Sequence, residues 1–141
     1  MDNIFYEFGK WNLSPESEEG LNALVKLLND NPNITIEVSA HTDYVGNDTF
    51  NKELSEKRAQ SVITYLLNNG IESARVTAVG YGEEQPITAD KLTHSKYPFI
   101  PIGQELSEEF VTTLTEEQQE IANQINRRTE FKVLKTTYNL Y

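Results

Sequence analysis

The sequence predicts an α+β domain in which strands and helices alternate along the chain. Three observations carry this. Residues 34–40 set Ile34, Ile36, Val38 and Ala40 against Thr35, Glu37 and Ser39, the period-two pattern of a half-buried strand. Residues 48–69 place Leu54, Ala59, Val62, Ile63 and Leu66 on one face of a long helix. Pro32, Gly70 and the Gly80-Tyr81-Gly82 turn punctuate the segments between them.

In chain order, Ile4-Phe5-Tyr6-Glu7-Phe8 is a β-branched and aromatic run closed by Gly9, which suits a first strand. Ser14-Pro15 then opens a helix, with acids at Glu16, Glu18 and Glu19 and apolar residues at Leu21, Leu24, Val25 and Leu28; Pro32 ends it. The alternating strand follows and delivers His41 and Asp43 to its C-terminal edge, where ligands of such sheets gather. Asn47 or Asp48 caps the long helix and Gly70 stops it. Residues 75–80 read as a third strand, and strand-helix alternation makes the first three strands parallel through right-handed crossovers. Residues 88–114 hold Tyr97, Pro98, Phe99, Ile100, Pro101 and Ile102 and a short helical signal at 108–114, too apolar for a free linker. Thr115-Glu116-Glu117-Gln118 forms a capping box for a further helix, and residues 129–134 make a last strand.

Composition narrows the function. The 141 residues suit one domain, 1–141, and the net charge of −10 with no basic stripe argues against nucleic acid. No apolar run is long enough to span a membrane and no basic amphipathic helix suggests lying on one. With no cysteine, disulfides and thiol chemistry are excluded. His41, Asp43 and His94 lack the tight spacing of a metallohydrolase, no GxSxG elbow is present, and no two acids stand out as a glycosidase pair. The chain therefore reads as a binding domain, not an enzyme, with no cofactor. His41 is expected to be structural, its ring bonded to the adjacent loop.

One charge breaks the pattern of the long helix. At about 100° per residue from Phe50, the polar Glu53, Glu56, Lys57, Gln60 and Thr64 fall together, while Arg58 and Asn51 fall inside the apolar stripe, near 80° and 100°. A guanidinium there needs a partner, since an unpaired buried charge costs on the order of 3–5 kcal/mol. Asp43 is the nearest candidate, and two readings stay open. In one, Asp43 and Arg58 form an internal ion pair. In the other they stand apart and a zwitterionic ligand bridges them, ammonium to Asp43 and carboxylate to Arg58, whose planar fork grips a carboxylate in bidentate fashion.

The pattern His41-Thr42-Asp43, Gly46, Asn51, Leu54-Ser55, Arg58-Ala59 and Val62 resembles the signature of the OmpA-like C-terminal domain. That periplasmic peptidoglycan-binding module also occurs in peptidoglycan-associated lipoproteins and flagellar stator proteins. The resemblance extends to residues 4–13, to Gly80-Tyr81-Gly82-Glu83 with Pro86-Ile87, and to Asn126-Arg127-Arg128 with Glu130. It covers almost the whole chain apart from an insertion at about 88–114.

The resemblance implies a βαβαβ(α)β domain with a mixed four-stranded sheet, its last strand antiparallel between the first and second. It implies non-covalent binding of peptidoglycan, with Asp43 and Arg58 holding the diaminopimelate of the stem peptide. Asn51 shares a face with Arg58 and can donate to the same carboxylate or bond the neighbouring loop. Thr42 serves the ligand or the turn. Arg127, from the family's NRR motif, reaches the site or forms a salt bridge within the fold; Glu83 is read as a surface acid or a local ion-pair partner in preference to a ligand contact. The expected setting is the periplasm, with an export signal and outer-membrane parts upstream of an excised domain, anchoring that protein to the cell wall. Gly9, Ala40 and Tyr44-Val45 depart from the family pattern around the site without touching Asp43 or Arg58. The alternative is an envelope-protein interaction domain with a degenerate ligand site, using the insertion through Tyr97, Phe99 or Phe110.

Overall fold

In the computed structural model, which describes residues 11–138, the alternating stretch forms a central strand, β1 (Thr35–His41). β2 (Val76–Gly82) pairs with it in parallel and β3 (Thr129–Lys135) antiparallel, in the order β2-β1-β3. The sheet is thus mixed, with three strands among the described residues where four were expected. The expected first strand at residues 4–8, and Gly9, lie outside the described residues.

Helix α1 (Glu18–Asp30) starts later than Ser14-Pro15 suggests, because Pro15–Ser17 forms a 3-10 turn in which the Ser17 N–H bonds to the Ser14 carbonyl. Helix α2 (Asp48–Asn68) begins at Asn47, whose side chain accepts from the Phe50 N–H at 3.1 Å, and its exit turns through Gly70 at φ +88°. Leu21, Leu24 and Leu28 of α1 and Val62 and Leu66 of α2 bury against Ile36, Val38 and Ala40 of β1. Gly80 decides how close α2 comes to β2: a Cβ there would lie 2.3 Å from the Glu56 backbone nitrogen. Only glycine allows that approach.

Arg75, just before β2, is a buried charge that sequence pattern alone does not flag. Its guanidinium donates to the carbonyls of Leu28 and Asn31 at 2.8 Å and of Ile34 at 3.1 Å. It satisfies carbonyls at and beyond the end of α1, ties them to the start of β2 and balances the helix dipole there.

Residues 88–114 fold back instead of trailing. Helices α3 (Lys91–Lys96) and α4 (Glu108–Val111) precede α5 (Glu116–Asn126), which opens with the Thr115/Gln118 capping box. Ala89, Ile100, Leu106, Val111 and Ala122 make a second buried cluster, with Tyr44, Tyr97, Phe99 and Phe110 packed against it. Asn126 closes this unit: it accepts from the Ile87 N–H at 3.0 Å and donates to the Leu106 carbonyl at 2.9 Å.

Candidate functional site

The site begins where β1 ends. The register shifts between Ala40 and His41, which pair with Gly80 and Gly82, so Tyr81 bulges; beyond it the Thr42 N–H bonds to the Gly82 carbonyl at 2.9 Å. Ser55 of α2 holds the same corner from below: its hydroxyl accepts from the Gly82 N–H at 2.9 Å and donates to the Lys52 carbonyl at 2.8 Å. The C-terminal ends of two parallel strands and the second turn of α2 are thereby locked together, and Asp43 emerges beyond them.

Asp43 is 7 % exposed. Its Oδ1 accepts from the Val45 N–H at 2.9 Å, and its Oδ2 forms an ion pair with Arg127 Nη1 at 2.5 Å. Arg127 follows α5 directly and also holds Glu120 Oε1 through Nη2 at 2.7 Å. Burial works against its charge, but these two carboxylates outweigh that and hold it firmly protonated. Asp43 thus has an internal ion pair with Arg127, the salt bridge within the fold expected of that residue. Arg58 lies buried on the inward face of α2, 8 % exposed, as the helical count requires.

Asn51 and Thr42 order the loop. The Asn51 amide donates to the Val45 carbonyl at 3.1 Å and, at longer range, to the Asp43 carbonyl and Glu83 Oε1. The Thr42 hydroxyl donates to the Asp43 carbonyl at 2.9 Å. Both side chains thus fix the backbone that presents Asp43. Glu83 stands at the rim, where burial, then Asp48, Glu108 and Asp43, push its carboxyl up against the opposing bond from Asn51. Its partner is thus a site residue.

His41 departs from expectation. Its ring stacks on Tyr81, with centroids 5.2 Å apart and planes within 12°, and its buried Nδ1 has no hydrogen-bond partner. Burial, reinforced by Arg128, lowers its pKa to about 4 despite the opposing pull of Glu130 and Glu37. His94 is spent on the Ile100 carbonyl at 2.7 Å, and among the described residues no group of histidines and acids could hold a metal ion.

Two contributors escaped the sequence reading. Ser55 falls near 140° on the helical count, inside the apolar stripe, and a buried hydroxyl there could have been flagged as needing a partner. Glu120 carries no such signal, because its role depends on where α5 delivers Arg127.

A mixed sheet with a buried carboxylate at the ends of its parallel strands, braced by the first turn of a long helix, defines an α+β domain. The model of the OmpA family matches residues 5–97, and the chain belongs to that family. It is 38 % identical over 96 residues to outer membrane protein A of Salmonella typhi, covering 67 % of this chain and 27 % of that protein. It is 36 % identical over 96 residues to outer membrane protein A of Citrobacter freundii, covering 67 % of this chain and 40 % of that one. The chain therefore spans well under half the length of these relatives. Among solved structures, the peptidoglycan-associated lipoprotein of Burkholderia pseudomallei superposes with a TM-score of 0.65 at 20 % identity, covering 95 % of this chain and 91 % of the other. The cell wall anchor of the T6SS from Pseudomonas aeruginosa does so at 0.62 and 18 %, covering 93 % and 75 %. At these identities the likeness is one of fold. No helix among the described residues is long and apolar enough to cross a membrane.

Proposed function

We propose that the domain binds cell-wall peptidoglycan non-covalently through the diaminopimelate of the stem peptide, anchoring an outer-membrane or periplasmic protein to the wall. The observation that carries this reading is that two opposite charges are buried, the Asp43 carboxylate just past the end of β1 and the Arg58 guanidinium on the inward face of α2. The setting is the periplasm.

In this reading the ligand's ammonium docks on the Asp43 carboxylate, which Arg127 and the Val45 N–H hold in place. The ligand's carboxylate turns toward Arg58 and the positive end of α2. Asn51 and Thr42 act by positioning the loop. Binding requires no chemistry, only two opposite charges held at a fixed spacing. The alternative, envelope-protein contact through residues 88–114, would have to use the exposed Leu92 and Ile102, because Tyr97, Phe99 and Phe110 are packed against the second cluster.

The test is calorimetry with two tripeptides that differ only at the third residue, diaminopimelate or lysine. Lysine keeps the ammonium and lacks the carboxylate. The expected result is at least tenfold weaker binding of the lysine peptide, about 1.4 kcal/mol, and no such discrimination in Arg58→Ala. Equal affinity of the native domain for both peptides would remove Arg58 from the ligand site.

A further inference from the structure

Away from Asp43, an open groove of about 450 Å³ runs between Trp11 and the outward face of α2, lined also by Asn12, Lys57, Gln60, Ser61 and Thr64. It is shallow and open, and around the indole of Trp11 and the side chain of Leu13 its lining is polar. The segment bearing Trp11 is fastened to the helix, since the Ser61 hydroxyl donates to the Trp11 carbonyl at 2.7 Å. The Lys57 ammonium stands over the indole, 4.3 Å from its centroid, and Trp11 as a residue is 43 % exposed. A large aromatic surface held in the open next to amides, hydroxyls and an ammonium suits an amphipathic ring whose C–H face is apolar and whose edge carries hydroxyl and N-acetyl groups. That is the chemistry of an amino sugar.

We infer that this groove is a subsite for the glycan strand of peptidoglycan, with Trp11 as its stacking surface and Gln60, Thr64 and Asn12 as partners for hydroxyl and N-acetyl groups. The inference rests on the peptidoglycan reading of the Asp43 site. Spacing supports it. Ser61 lies ten residues beyond Asn51 on α2, about 15 Å along the helix. A stem peptide extended from the sugar to its third residue spans about 10 Å, and the sugar's linking group and the diaminopimelate side chain add a few ångströms more. That length is comparable to the separation along the helix axis. The glycan also fits the charge of the domain better than an anionic partner does, because the chain carries a net charge of −10.

Trp11 is the sole tryptophan of the chain, so its fluorescence reports on this groove alone. The experiment titrates the domain with the free diaminopimelate tripeptide and with the same peptide attached to its N-acetylated disaccharide, following emission and heat. The expected result is a saturable emission change with the disaccharide-peptide only. Trp11→Ala and, separately, the exposed Gln60→Ala then weaken the disaccharide-peptide about tenfold and leave the tripeptide unchanged. Tight binding of both ligands with silent emission, and with both variants at native affinity, overturns the glycan subsite and leaves the charge clamp standing. Failure of the native domain to bind either ligand overturns both.

Discussion

The core under the sheet and the cluster around residues 88–125 are built by different means. In the first, Leu21, Leu28, Val62 and Leu66 come from two long amphipathic helices and meet alternating strand residues, so periodic elements supply the apolar surface. In the second, Ala89, Ile100, Leu106 and Val111 come from loops and short helices, and α5 and Asn126 hold them in place. The family match at residues 5–97 covers the first core and stops within the second. The second packs against Tyr44, in the loop that presents Asp43.

The difference can be broken at its centre. Leu66→Ala and Ile100→Ala each remove a fully buried side chain, and each is expected to cost about 2–5 kcal/mol where it acts. Leu66→Ala should lower the stability of the whole domain, seen as an earlier denaturant midpoint with an unchanged slope. Ile100→Ala should instead open residues 88–114 locally, so that hydrogen exchange quickens there while β1 and β2 amides keep their protection. Uniform loss of protection in both variants would mean that the two clusters form one cooperative unit.

A smaller effect sharpens the same contrast from the sheet side. His41 is held neutral by burial, with its pKa lowered from 6.5 to about 4. Between these values the unfolded chain binds the proton and the folded one does not, so stability rises with pH across that window. The histidine's contribution is fully present above pH 6.5 and lost as pH falls toward 4, about 3 kcal/mol in all. Denaturant titrations from pH 4 to 7 should show this slope in the native domain and a flatter one in His41→Gln. An identical slope in both would assign the pH dependence to other groups.

Much of this was legible because local pattern and tertiary role coincide. β1 and α2 follow from spacing alone, and Arg58 and Asn51 stand out because polar groups on an apolar stripe must be explained. What stayed hidden depends on distant partners. The NRR resemblance marks Arg127 for the site or a salt bridge, but nothing near it names Asp43, 84 residues away, as the partner. Helix α3 buries none of its residues and so has no periodic stripe to read; it rests on the Asp90 side chain, which caps it, and on the His94 contact to Ile100. His41 invited a hydrogen bond by its chemistry and received a stacked ring instead, because the bulge at Tyr81 puts an aromatic face beside it.

The most direct measurement is co-sedimentation of the purified domain with isolated peptidoglycan sacculi, comparing the native sequence with Asp43→Ala and Arg58→Ala, each checked for folding by circular dichroism. The charge-clamp account predicts that the native domain pellets and both folded variants stay in the supernatant. Folded variants that pellet as fully as the native domain would contradict it, and so would a native domain that never pellets.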